Sequence, residues 1–112
     1  MFSKLRIRRT VPCAIIDTYR NLKKISKGKG LEVHHIVEKR FSNVLNIENT
    51  NDMLSIIMTK SDHKAVTKAW RELLPYGKKY TKIEILEAAI EIYADDPGLL
   101  GAAIYTIAKS AK

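Results

Sequence analysis

Hydrophobic and polar positions change period several times along this chain, and each change marks an element. In residues 1–10, Leu5 and Ile7 alternate with Lys4, Arg6 and Arg8, which predicts an extended basic arm. Pro12 suits the first position of a helix, and Ile15, Tyr19 and Leu22 recur at helical spacing, so a helix is expected to end near Ile25. Residues 26–30, Ser-Lys-Gly-Lys-Gly, predict a flexible, positively charged turn. Val33, Ile36 and Val37 then predict a short strand over 31–37, whose end carries His34 and His35. An asparagine-rich loop over 42–52 follows, and the compact apolar run 53–58 predicts a second strand.

Helical spacing returns after that strand. Thr59 and Asp62 have the separation of a capping box, opening a helix from Lys60 to about Leu74 with Val66, Trp70 and Leu73 as its buried stripe. His63 falls in its first turn. Residues 75–80, beginning Pro-Tyr-Gly, break the pattern, and Thr81 with Glu84 supplies a second capping box. The helix it opens is expected to bury Ile83, Leu86, Ile90 and Tyr93. Asp95 and Asp96 before Pro97 start a last helix with Leu100, Ile104 and Ile107 on one face. These two C-terminal helices carry no histidine and read as support.

Composition bounds this picture. A chain of 112 residues with 46% hydrophobic and 29% charged positions allows one folded domain over residues 1–112, with one modest core. The lone Cys13 excludes an internal disulfide and lies too far from the histidines to suggest a cysteine-based zinc ribbon; it reads as a small buried hydrophobe. No run approaches the roughly 20 apolar residues of a membrane span. The first residues also lack the apolar run of a signal peptide. The net charge of +8 is uneven: residues 1–31 hold nine Lys or Arg and one Asp, whereas 83–112 hold two basic and five acidic residues. The front of the molecule should therefore attract polyanions, and nucleic acid fits better than a membrane surface.

All three histidines, His34, His35 and His63, lie between residues 34 and 63 beside the asparagine-rich loop. Strand alternation sends adjacent side chains to opposite faces, so His34 and His35 cannot both enter a core. Imidazole near its ordinary pKa can take a proton from water at neutral pH, and imidazole or carboxylate ligands can hold a divalent cation. Three histidines near asparagines and acids suffice for both roles in phosphodiester hydrolysis. Spacing alone also admits a structural zinc site, although a closed one usually has four ligands and a cysteine or two.

The run from Val33-His34-His35 to Arg40-Phe41, the asparagine-rich loop, the apolar strand, His63 four residues after Thr59, then Trp70-Arg71 and Pro75-Tyr76-Gly77 together resemble the HNH/endonuclease VII-like nucleases. More narrowly, they resemble the His-His variants found as C-terminal toxin domains of bacterial polymorphic and contact-dependent inhibition toxins. The similarity covers residues 31–77. It implies a ββα-metal (His-Me finger) core at 31–77; with the N-terminal helix and the two C-terminal helices within 82–110 read from the pattern, which are compatible with it, the fold expected is α+β and mostly helical. It further implies that His34 and His63 are metal ligands, that His35 is the general base, and that Asn51, or failing it Asn49, orients that base. The chain departs from the pattern at Thr67, where a second helix histidine would stand, so Zn and Mg are equally admissible as the one divalent ion.

Arg40 and Lys39 are candidates for gripping the scissile phosphate, and a solvated basic edge is the alternative. Lys60, Lys64 and Lys68 recur every four residues, with Arg71 nearby, and could track a phosphate backbone without reading bases. Trp70 reads as core. The function expected is a metal-dependent DNase of little sequence specificity. The resemblance adds an antibacterial toxin role, neutralisation by an acidic immunity protein, and delivery as part of a larger secreted toxin to the cytoplasm of a target bacterium. The alternatives are a noncatalytic nucleic-acid-binding domain with structural zinc, or an RNase on the same fold.

Overall fold

The computed structural model describes residues 15–26 and 30–109; the basic arm at 1–10, Pro12 and Cys13 lie outside them. The fold is α+β, a three-stranded antiparallel sheet and four helices. In chain order these are β1 (Ile16–Thr18), α1 (Tyr19–Ser26), β2 (Glu32–His35), β3 (Leu54–Met58), α2 (Lys60–Leu73), α3 (Lys82–Ile92) and α4 (Pro97–Lys109). The spatial strand order is β1-β3-β2, so the apolar β3 is central. It pairs Ile16 with Ile56 on one side and His34 with Ile56, His35 with Ser55, on the other.

The first helix differs from its expected form. Ile15 does not open a buried helical stripe: it is 65% exposed, and the next three residues form β1. Two β-branched residues, Ile16 and Thr18, suit the pleat, and the free edge of β3 offers them hydrogen-bond partners. The helix begins only at Tyr19, where the Thr18 hydroxyl accepts the Asn21 amide at 3.3 Å as a cap does. Its last turn carries Lys23 and Lys24, which complement the helix C-terminus.

Both strands expected around the loop form, shortened by one to three residues at their ends. The loop between them is pinned by buried Ile36, Val37, Phe41, Leu45 and Met53, with short 3-10 turns at Lys39–Phe41 and Thr50–Asp52. Asn46 takes φ +55°, a left-handed conformation that asparagine tolerates. α2 starts as its cap requires, with the Thr59 hydroxyl accepting the Asp62 amide at 3.1 Å. It buries Val66, Ala69 and Trp70, while Leu73 is half-buried.

The capping box of α3 is complete, Thr81 and Glu84 each bonding the other's backbone amide. Its buried face is only partly the one expected: Tyr93 is buried and Leu86 packs partly against the core, but Ile83 and Ile90 are exposed, and Ile85, Ala88, Ala89 and Ile92 are buried instead. In α4 Ile107 is buried as expected and Leu100 partly so, joined by Leu99, Ala103 and Thr106, while Ile104 is exposed. Both helices are apolar nearly all round, so periodicity leaves two candidate faces. Close approach selects the alanine-bearing one, because Ala88, Ala89 and Ala103 let the two helices pack tightly under Trp70 and Tyr93. Among the described residues no helix is long and apolar enough to cross a membrane.

Candidate functional site

β2 ends on the histidine pair, and the first turn of α2 brings His63 beside it. All three imidazoles line one cleft of about 310 Å³, together with Tyr19, Glu38, Lys39, Arg40, Thr67, Arg71 and Tyr76. The pleat separates the pair as expected: His34, 4% exposed, turns towards α2 and Tyr93, and His35, half-buried, turns towards α1. The His34 and His63 rings stand 5.0 Å apart between centres, tilted by 58°.

Each ring has one nitrogen beside a neighbouring polar group. The Tyr93 hydroxyl donates its only hydrogen to the Ile36 carbonyl at 2.5 Å, so its oxygen can only accept from Trp70 Nε1 at 3.3 Å and from His34 Nε2 at 3.5 Å. His34 therefore carries its proton on Nε2 and has the Nδ1 lone pair free. Burial, reinforced by the neighbouring His63 and His35, pushes its pKa down to about 3, so it is neutral at physiological pH. His35 Nε2 lies 3.1 Å from the Thr50 carbonyl, which can only accept, so His35 Nδ1 is likewise the free base. Burial lowers the His35 pKa; the Thr50 bond opposes this and the Lys39 and His63 charges add to it. Tyr19 stacks flat on the same ring, centres 4.3 Å apart and planes 8° apart.

His63 Nδ1 meets the Glu32 carboxylate at 2.5 Å, leaving Nε2 free. That bond holds the Glu32 carboxyl below its usual range, with Lys60 and Lys64 adding a smaller attraction. Glu32 and His34 are two residues apart on β2 and so share a face, which is how a strand carboxylate reaches a helix histidine.

Other expected site residues are placed differently. Asn51 does not orient His35: it is exposed, outside the cleft lining, and its backbone amide donates to the Asn49 side chain at 2.9 Å. The two asparagines instead shape the turn that presents the Thr50 carbonyl. Arg40 lines the cleft but is already engaged, donating from Nε to Glu38 at 2.7 Å and from Nη2 to the Leu74 carbonyl at 2.6 Å. Lys39 is exposed at the cleft edge. Lys64, Lys68 and Arg71 line an adjoining open groove of about 560 Å³ that shares His63, Thr67 and Arg71 with the cleft. Lys60 lies outside both linings. Trp70 is fully buried and is core.

Glu32, Thr50, Tyr19 and Tyr93 are the site residues that sequence reasoning missed. Only Glu32 left a signal, its two-residue spacing from His34 on a strand. Thr50 acts through its backbone, and Tyr93 and Tyr19 arrive by tertiary packing.

Among the described residues no three His, Cys, Asp or Glu side chains converge as a ready metal-binding group. The two rings nearest one another in the cleft are those of His34 and His63. A separate hollow of about 450 Å³, between residues 45–54 and the end of α4, carries no histidine. The chain matches no protein-family model, no curated protein and no solved structure.

Proposed function

We propose that the protein is a metal-dependent endonuclease that hydrolyses phosphodiester bonds of DNA with little sequence specificity. One observation carries this: three imidazoles line one cleft, each with one ring nitrogen engaged by a neighbouring group. On this reading β2, β3 and α2 form the ββα-metal core. The His34 and His63 ring centres are 5.0 Å apart, against roughly 5 Å for two imidazoles bound to one ion at about 2.1 Å each. His63 also has the carboxylate partner that metal-bound histidines ordinarily have. The donor set thus fits an ion held by two protein nitrogens, with Thr67 in the cleft wall and water or phosphate filling the remaining positions. Zn or Mg bound there would offset negative charge on the phosphate and on the leaving oxygen.

The residues divide the remaining work. His35 Nδ1 takes a proton from water as its oxygen bonds to phosphorus and the bond to the leaving oxygen breaks. The Thr50 carbonyl, accepting from Nε2, stabilises the imidazolium so formed. Tyr19 keeps the ring from rotating. Lys39 and the free N–H groups of Arg40 face the phosphate, and Lys60, Lys64, Lys68 and Arg71 track the backbone beyond it. The antibacterial toxin role, delivery within a larger secreted toxin to the cytoplasm of a target bacterium, and an acidic immunity protein covering this basic face belong to the same proposal, supported by the resemblance and the charge.

Plasmid DNA incubated with Mg, Mn or Zn tests the reading, with His35→Ala and His63→Ala in parallel. Cleavage by the wild type should fall by roughly 10²–10⁴-fold in His35→Ala while ion affinity is kept, the range general bases contribute. His63→Ala should weaken the ion itself. Binding of DNA without cleavage by any of the three would leave a noncatalytic zinc-bearing module, and equal loss of the ion from both variants would overturn the division of roles. A parallel digestion of RNA separates DNase from RNase.

A further inference from the structure

Tyr76 stands on the rim of the histidine cleft and takes no part in holding the imidazoles. It lies in the turn between α2 and α3, where Gly77 adopts φ +92°, a conformation that residues with side chains rarely take. The turn leaves Tyr76 60% exposed. An exposed tyrosine is ordinarily just solvated surface, but this one is braced. The Arg40 guanidinium carbon lies 4.6 Å from the ring centre, that of Arg71 lies 4.9 Å away, and Arg71 Nη2 donates to the hydroxyl at 2.8 Å.

The two arginines differ in freedom. The Arg40 side chain is only 19% exposed, is bonded to Glu38 and Leu74, and also lies 4.4 Å over Phe41, so it is a fixed backing for the ring. Arg71 is exposed and can swing. The other aromatics nearby are taken: Tyr19 lies flat against His35, and Trp70 is fully buried.

A braced, 60% exposed aromatic ring beside two guanidiniums matches the two parts of a nucleotide, a planar base and a phosphate. Within a duplex each base has its faces covered by its neighbours and presents only edges, so the ring can stack only on an unpaired base. We propose that Tyr76, with Arg40 and Arg71, is a stacking platform for one unpaired nucleobase beside the cleft, making single-stranded nucleic acid the preferred ligand. This rests on the nucleic-acid reading of the cleft and deepens it.

Binding is measured without cleavage, by fluorescence anisotropy of a labelled single-stranded oligonucleotide and of its duplex, in chelator, for wild type, Tyr76→Phe and Tyr76→Ser. The wild type should bind the single strand more tightly than the duplex. Tyr76→Ser should weaken the single strand about tenfold and leave the duplex unchanged, and Tyr76→Phe, which keeps the ring, should stay within about twofold of wild type. Equal weakening of both ligands by Tyr76→Ser, no weakening of either, or a Phe variant as weak as Ser would each overturn the platform. Because no bond is cut in this assay, its outcome is independent of the plasmid test of the nuclease.

Discussion

His34 is neutral because a charged ring at 4% exposure would lose its hydration with only the Tyr93 hydroxyl to replace it. The consequence for stability has a definite sign. An unfolded histidine takes up its proton near pH 6.5, whereas the folded His34 resists until about 3. Between those values the unfolded chain binds more protons, so stability is lost as pH is lowered, by up to about 1.4 kcal/mol per pH unit. Urea midpoints of ion-free protein should decline steadily from pH 6.5 downward, and His34→Gln, which keeps a donor for Tyr93, should flatten that decline. An unchanged slope in the variant would mean that another group titrates. Glu32 makes a second prediction at this scale. Its bond to His63 orients the proposed ligand, so Glu32→Ala should weaken Zn affinity by roughly 10–100-fold in a chelator competition, with cleavage restored at saturating ion. Unaltered affinity would make the pair a surface contact only.

At the scale of elements, the caps were the most legible feature. Thr59 with Asp62 and Thr81 with Glu84 announce α2 and α3, because the hydroxyl and the orphan amide that it satisfies are three residues apart in the chain itself. Removing either hydroxyl should cost about 1 kcal/mol, read from urea unfolding of Thr59→Ala and Thr81→Ala. Only Thr59→Ala should also weaken ion binding, since His63 sits in the turn that Thr59 caps and its amide bonds to the Thr59 carbonyl at 2.9 Å. If both variants affected the ion equally, the effect would be global loosening. The faces of α3 and α4 were only partly legible: Tyr93 and Ile107 are buried as expected, Ile83, Ile90 and Ile104 are not. Ile83, Ile85, Leu86, Ile90 and Ile92 offer apolar stripes on more than one side, and the deciding factor is how closely Ala88 and Ala89 let another helix approach. β1 escaped notice for a similar reason: three residues pair only because β3 lies beside them.

For the whole molecule, charge is the property that composition and structure describe together. The basic residues of α2 run away from the cleft along a groove, while α3 carries Glu84, Glu87 and Glu91. Contacts to phosphates release counterions, so the logarithm of duplex affinity should fall linearly with the logarithm of salt. Replacing Lys60, Lys64 and Lys68 together by alanine should reduce the steepness by about 2–3 if all three touch phosphates, and should weaken all sequences alike. A slope that does not change would remove the lane from the binding surface.

From the sequence alone came the α+β class, β2 and β3, the capped helices and the three histidines as a group. Each depends on near neighbours in the chain, where period, cap spacing and charge are already visible. Tertiary structure decided which groups meet in the cleft. The Thr50 carbonyl holds His35 in place of the expected Asn51 side chain, and Tyr93, 59 residues from His34, settles that ring's tautomer. Backbone carbonyls look the same at every residue, and a contact across 59 positions exists only once the core has closed, so neither leaves a mark in the order of side chains.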